Sequence, residues 1–291
     1  MSARFSSKVT IPIPHPVEPG SISGILEQSD SPGTRKLLHG RKLALILHGM
    51  FGLFLACLDY QLFYPEGASN RLAYGDYSRL GYEIDLVIGH SRGAILAVQW
   101  LCTTEYVKNV SGFVNISGGL RMQDAYEFNE GTWMRNVSAQ GYHLVDLKSF
   151  KAKVYHEDFD NYANFDLSMS MVQDKFPRAT DVLTIHGLAD KTAAVYNALL
   201  YAKTLSKRNP GTHSLHLMEH ADHIYTGRHA EVIQTILGWW DAHLKGTLQS
   251  GIWAGPESGD IPYTIDIFLG SLSKYDYGST ALWRRTETII Q

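Results

Sequence analysis

The feature that most constrains the fold of this chain is segment 84–97, which contains the motif Gly-His-Ser-Arg-Gly at 89–93. A short apolar run precedes the motif and an Ala- and Leu-rich run follows it, which predicts a strand, a sharp turn and a helix. Such a turn exposes the central Ser91 hydroxyl, and the flanking glycines remove Cβ atoms that would collide there. Ser91 is therefore the candidate nucleophile, and the alternative is an ordinary glycine-rich turn with a solvated serine.

Composition narrows the class of protein. The chain has 291 residues, of which 44% are hydrophobic and 19% are charged, so it fits one large domain or one domain with an insertion. Its net charge of -3 supplies no basic field for nucleic acid or an anionic membrane. Cys57 and Cys102 belong to no Cys-x-x-Cys pair or zinc-ligand spacing. We therefore predict no nucleic-acid partner, no metal site and no cofactor.

The N-terminal residues and the longest apolar region bear on location. The first eight residues lack the apolar core of a secretory signal. The longest apolar region, 43–58, is interrupted by His48, Gly49 and Gly52 and falls short of a membrane span. We therefore predict a soluble cytoplasmic protein without a membrane span.

Several further strands are predicted around the motif. Segments 9–13 and 22–26, which are separated by Pro and Gly residues, favour an antiparallel hairpin at a sheet edge, where prolines are tolerated. Continuous apolar runs predict buried strands of a parallel sheet, and an alternating run at 214–219 predicts the last of them. The continuous runs are 42–47, 111–119 and 181–187. Apolar residues at helical spacing then predict a helix over 232–244.

The segment 121–178, which we call the insert, differs from the preceding segments in composition and residue pattern. Charges, turn residues and aromatic side chains are frequent, and no single helical or strand period dominates. This pattern favours a lid subdomain inserted over the site, where aromatic side chains line a pocket for an acyl or alkoxy group. The alternative is that the aromatic side chains form the insert's own core. The predicted organisation is a main domain over 1–245 with a lid at 121–178, followed by a C-terminal extension over 246–291.

Four motifs occur in a consistent order along the chain. A buried strand ends at His48-Gly49, the motif at 89–93 follows, and His-Gly-Leu-Ala-Asp at 186–190 precedes Ala-Asp-His-Ile at 221–224. Together they resemble the α/β-hydrolase superfamily, in the serine-hydrolase branch that includes feruloyl or cinnamoyl esterases and related cytosolic carboxylesterases. The resemblance implies an α/β-hydrolase fold with a mostly parallel central sheet.

The resemblance also implies a catalytic triad and an oxyanion hole. Ser91 would be the nucleophile, His223 would accept its proton, and Asp190 would orient the histidine and stabilise the imidazolium. Asp222, next to His223, is the rival for the role of Asp190, but adjacent side chains of an extended segment point to opposite sides. The backbone N–H groups of Met50 and Arg92 would bind the oxyanion.

These features predict a carboxylic-ester hydrolase that uses an acyl-serine intermediate and prefers aromatic or medium apolar acyl groups. Its partner would be a small-molecule ester, and its oligomeric state stays open. The same triad also suits a peptidase or amidase. Because the segment after Met50 is too short for the strand and helix that similar proteins carry there, a catalytically impaired binding module is a further alternative.

Overall fold

The computed structural model of the chain describes residues 6–14, 21–29, 41–47, 82–147, 150–165, 167–255 and 289–290. A large sheet spans these residues. Its strands are β1 (Ser6–Pro14), β2 (Ser21–Ser29), β3 (Arg41–Leu47), β4 (Tyr82–His90), β5 (Gly112–Ile116), β8 (Asp181–Gly187), β9 (His213–Met218), β10 (Gly251–Ile252) and β11 (Ile289–Ile290). A two-stranded sheet of β6 (His143–Leu147) and β7 (Phe150–Val154) lies in the insert.

The strand order of the large sheet is β1-β2-β11-β3-β4-β5-β8-β9-β10. Every neighbouring pair from β3 to β10 is parallel. The predicted hairpin is present as the antiparallel pair of β1 and β2 at one edge. The mostly parallel sheet expected from the sequence is therefore confirmed. The two-residue strand β11 runs parallel to β2 and antiparallel to β3, so the segment after residue 245 contributes to the sheet at both β10 and β11.

Helices cover both faces of this sheet. They are α1 (Arg92–Thr103), α2 (Thr132–Gln140), α3 (His156–Ala163), α4 (Met169–Lys175), α5 (Tyr196–Leu205) and α6 (His229–Leu244), with 3₁₀ helices at Glu105–Asn109 and Met122–Glu127. Side chains of β4, β5 and β8 pack with α1, α4 and α5 on one face and with α6 on the other. Burial on both faces explains why these three strands read as continuous apolar runs. Among the helices of the described residues, none combines the length and apolar character that crossing a membrane requires.

The insert has a hydrophobic cluster of its own. Phe128, Trp133 and Phe159 are buried there together with Val137 of α2. The last part of the insert does not belong to this cluster. Its helix α4 packs against α1 and α5 in the core of the main sheet. The insert therefore combines a separate small core with a segment that is anchored to the main core.

One buried histidine makes the fold sensitive to acid. His213 is 1% exposed at the start of β9, and its Nε2 lies 3.0 Å from Thr184 Oγ1. Burial, together with the nearby charge of Arg208, lowers the pKa of His213 to about 3. Because an unfolded histidine titrates near pKa 6.5, the unfolded state binds one more proton than the folded state between these values. The contribution of neutral His213 to the free energy of unfolding is therefore fully present above about pH 6.5, and it falls as the pH drops below that value.

We expect this histidine to reduce the free energy of unfolding by about 2 kcal/mol at pH 5 relative to pH 7.5. Urea denaturation at the two pH values measures the effect, and His213→Gln is the matched variant. The variant should lose about 2 kcal/mol of that pH dependence, because glutamine does not titrate. An unchanged pH dependence in His213→Gln would show that His213 is not the responsible group.

Candidate active site

Ser91 lies at the sharp turn between β4 and α1. Its backbone has φ 53° and ψ -120°, an unusual conformation for a residue with a side chain. Gly89 approaches the start of α1 so closely that a Cβ there would collide with the backbone of Ala94. The turn is held in the sheet because the Ser91 N–H donates to Ile116 O of β5 at 2.8 Å. The sequence therefore folds here into the strand, turn and helix that the motif predicts.

The structure brings Ser91, His223 and Asp190 together. His223 Nδ1 lies 2.8 Å from Asp190 Oδ2, and His223 Nε2 lies 2.8 Å from Ser91 Oγ. An ionised carboxylate only accepts hydrogen bonds, so Nδ1–H donates to Asp190 and Nε2 is left to accept from the Ser91 hydroxyl. His223 is 8% exposed and Asp190 is 9% exposed, so both groups are largely removed from water. A proton can move from Ser91 to His223 along this hydrogen bond.

The loop after β8 fixes the Asp190 carboxylate. Its Oδ1 accepts the backbone N–H groups of Thr192 and Ala193, each at 2.8 Å. Burial alone would raise the pKa of this carboxyl, but hydrogen bonds from His186 and His223 outweigh it and hold the pKa well below its usual range. Asp190 is therefore charged at any pH at which the protein would work.

The rival carboxylate, Asp222, is engaged elsewhere. Its Oδ1 accepts the backbone N–H of Thr226 at 2.9 Å, and its Oδ2 accepts the Thr226 hydroxyl at 2.7 Å. These contacts close the turn that precedes α6. The geometry therefore places Asp190, and not Asp222, on the ring of His223.

The structure describes one of the two residues whose backbone N–H groups are predicted to bind the oxyanion. Arg92 is the first residue of α1, and the backbone N–H of a first helical residue has no acceptor within its own helix. Met50 lies outside the described residues, as does the His48-Gly49 pair before it. Both halves of the oxyanion hole therefore stay predictions.

The side chain of Arg92 links the nucleophile turn to the insert. It is 3% exposed, and its Cζ lies 4.5 Å from the ring centroids of both Tyr162 and Phe165. A guanidinium between two aromatic faces is stabilised by the negative potential of each ring. This contact places two aromatic side chains of the insert next to the residue that follows Ser91.

Sequence reasoning assigned no role to two histidines that contact these groups. His90 Nε2–H donates to the backbone oxygen of His223 at 2.8 Å, and the two rings lie 5.2 Å apart. His186 Nε2 lies 3.4 Å from Asp190 Oδ2. Both lie within the motifs at 89–93 and 186–190, and the signal that could have identified them is their position next to Ser91 and four residues before Asp190. Among the described residues, no group of three or more His, Cys, Asp or Glu side chains is arranged to hold a metal ion.

Comparisons with known proteins give one family match and several similar structures. Residues 117–247 match the prolyl oligopeptidase family. Est1E from Butyrivibrio proteoclasticus is similar in structure with a TM-score of 0.51 and 14% identity, over 81% of this chain and 99% of that chain. Pyrococcus horikoshii acylaminoacyl peptidase has a TM-score of 0.51 and 11% identity, over 78% of this chain and 39% of that chain.

The esterase domain of a Rhodothermus marinus protein has a TM-score of 0.47 and 17% identity, over 82% of this chain and 98% of that chain. No curated protein matches the chain. The parallel sheet and the matches to Est1E and the acylaminoacyl peptidase together show that the chain has an α/β-hydrolase fold.

Proposed function

We propose that this chain is a serine hydrolase that cleaves carboxylic esters through an acyl-serine intermediate. The observation that carries the proposal is the continuous hydrogen-bonded chain from Ser91 through His223 to Asp190, with both contacts at 2.8 Å. Such a chain activates a serine hydroxyl that is otherwise a weak nucleophile. No metal or cofactor takes part in the proposed reaction.

The proposed reaction has two halves. His223 Nε2 removes the Ser91 proton while Oγ attacks the ester carbonyl carbon, and the imidazolium returns that proton to the leaving alcohol as the acyl-serine forms. Water then attacks the acyl-serine with the same histidine as base, which releases the acid and restores Ser91. The buried charge of Asp190 stabilises the imidazolium in both halves. The Arg92 amide binds the carbonyl oxygen as it becomes negative, together with the Met50 amide as the proposed second donor.

We propose that the insert acts as a lid and contributes to acyl selection. Phe128, Trp133 and Phe159 are committed to its own core, so they are unsuited to contact a substrate. Tyr162 is a better candidate, because it is only partly buried and lies against Arg92 beside the nucleophile turn, whereas Phe165 is packed in the core of the main sheet. Flat apolar surface at that place favours aromatic or medium apolar acyl groups. The cytoplasmic location stays a prediction from the sequence.

A panel of p-nitrophenyl and hydroxycinnamate esters tests this proposal. We expect kcat/KM for hexanoyl or cinnamoyl esters to exceed that for acetate by roughly 10- to 100-fold, a total gain of about 1.4 to 2.7 kcal/mol, which is what a hydrophobic pocket gains from about one methylene. Tyr162→Leu should reduce this preference. Tyr155→Leu, at an insert side chain that is 50% exposed, is the matched control and should retain it. If acetyl esters are the best substrates, the insert does not form the acyl site.

A second candidate, a peptidase or amidase, is favoured by the match of residues 117–247 to the prolyl oligopeptidase family. Both activities use the same three side chains, but an amine leaves only after His223 has protonated it. A p-nitrophenyl ester and a p-nitroanilide that share one N-acetylated apolar aminoacyl group separate the two candidates. We expect the ester to react at least about 100-fold faster in kcat/KM, a ratio of roughly 2.7 kcal/mol in activation free energy. Comparable rates would favour the peptidase.

A further inference from the structure

His186 is a fully buried histidine next to the acid of the proposed triad, and the proposed mechanism does not use it. It lies near the end of β8, and its Nε2 is 2.9 Å from Ala193 O and 3.4 Å from Asp190 Oδ2. A carbonyl oxygen and an ionised carboxylate oxygen are both acceptors, so Nε2 carries the hydrogen. This N–H therefore donates to Ala193 O in the loop that carries Asp190, and Nε2 also lies close to the carboxylate oxygen that contacts His223.

The other ring nitrogen of His186 argues against a role in core packing alone. Its Nδ1 is buried and has no hydrogen-bond partner among the described residues. A buried polar atom without a partner costs free energy, and an apolar side chain at this position would avoid that cost. The polar interactions that the structure shows for the ring are therefore those with Ala193 and Asp190.

The end of β8 next to His186 is closely packed, and there the loop that carries Asp190 meets the loop that carries His223. A Cβ on the next residue, Gly187, would collide with the backbone of Ala221, so the end of β8 packs closely against the loop that carries His223. Ala189 N–H donates to Ala221 O at 3.0 Å across the same junction. The close packing of this strand end holds the His186 ring where its N–H meets Ala193 O, beside Asp190.

We propose that His186 is a positioning residue for Asp190. The His186 ring holds the loop that carries Asp190 at Ala193, and it thereby orients the carboxylate oxygen that contacts His223. The inference rests on the proposed function, because it assigns His186 a part in the same reaction. Two contacts act together. Ala193 N–H donates to Asp190 Oδ1 while Ala193 O accepts from His186, so both backbone groups of Ala193 are held beside the carboxylate.

Electrostatics agree with this role. Burial raises the pKa of Asp190, and the hydrogen bond from His186, followed by that from His223, lowers it further than burial raises it. Without His186, the buried carboxylate would have fewer donors to compensate for the loss of water. Its charge and its orientation toward His223 would then be less well fixed.

Three substitutions test the proposal. His186→Leu removes the N–H and keeps a similar volume. His186→Gln places an amide N–H near the position of Nε2, whereas the shorter His186→Asn places one near Nδ1 and does not reach Ala193. For a good ester substrate, we expect leucine and asparagine to lower kcat by roughly 10- to 100-fold with KM within about twofold, since small misplacements of catalytic groups have effects of this size. Glutamine should recover most of the activity.

A double-mutant cycle separates positioning from general destabilisation. If His186 acts through Asp190, His186→Leu should cost less than about threefold in kcat when Asp190 is already asparagine. An equal loss in both backgrounds would overturn the proposal, and so would equal activity of the glutamine and asparagine variants. If the leucine variant does not fold, as judged by circular dichroism, the glutamine and asparagine pair provides the same comparison.

A spectroscopic measurement keeps this test independent of activity. The proton NMR resonance of His223 Nδ1–H reports its hydrogen bond with Asp190 whether or not any ester is a substrate. We expect His186→Asn to shift or broaden this resonance and His186→Gln to preserve it. An unchanged resonance in both variants would overturn the positioning role, while failure of the wild-type protein to hydrolyse esters would contradict only the proposed function.

Discussion

Replacing Ser91 with alanine is expected to lower kcat/KM for ester hydrolysis by at least roughly 10⁴-fold. The Oγ atom is the proposed nucleophile, and its hydrogen bond is to His223 Nε2 at 2.8 Å. Loss of one member of a cooperating triad removes most of the catalytic effect, and the residual rate comes from the oxyanion site and substrate binding. The fold should persist, because the backbone contact of Ser91 N–H with Ile116 O does not involve the side chain.

Kinetic assays and labelling with a fluorophosphonate probe measure this effect in the same samples. Ser138→Ala is the matched control, since Ser138 is exposed on α2, far along the chain from the nucleophile turn. The control should react with the probe and hydrolyse esters as the wild-type protein does. Retention of most of the activity in Ser91→Ala would contradict the assignment of the nucleophile.

The same probe decides whether the chain is an enzyme or a binding module. A reactive wild-type protein whose label is lost in Ser91→Ala supports the serine hydrolase. A folded wild-type protein that does not react would favour the binding module that the short segment after Met50 suggests. The hydrogen-bonded chain through Ser91, His223 and Asp190 favours reaction.

The fold could be predicted from the sequence where the local pattern and the tertiary environment agree. The strands β4, β5 and β8 are buried on both faces, so their apolar runs predict them without knowledge of their neighbours. Helix α6 was predicted from its apolar face and extends somewhat further, over His229–Leu244. By contrast, β11 has only two residues, Ile289 and Ile290, and its place between β2 and β3 depends on sheet order, which no local pattern encodes.

The candidate site shows the same division. Ser91, Asp190 and His223 are singled out by motifs that follow strand ends, although only the folded chain shows that they form one hydrogen-bonded array. The side chains of His186 and Arg92 are different, because both residues lie within the quoted motifs but the motifs do not indicate what these side chains contact. Their contacts arise from elements far apart in sequence, as when Arg92 lies between Tyr162 and Phe165.

The acid of the proposed triad is identified by comparing two conservative substitutions. Asp190→Asn is expected to lower kcat by roughly 10⁴-fold, because a neutral amide stabilises the imidazolium poorly and can favour the wrong tautomer of His223. Asp222→Asn is expected to change kcat by less than about threefold. The Asp222 carboxylate contacts Thr226 and not the ring, and an asparagine oxygen can still accept the Thr226 N–H.

The two variants form a matched pair, because each exchanges one carboxylate for an amide of the same shape in one of the two loops that meet at His223. Steady-state kinetics with one good ester substrate gives kcat and KM, and thermal unfolding shows that both variants are folded. A larger loss of kcat in Asp222→Asn than in Asp190→Asn would contradict the proposed triad. The geometry favours the opposite order, since Asp190 Oδ2 lies 2.8 Å from His223 Nδ1 and its Oδ1 is held by two backbone N–H groups.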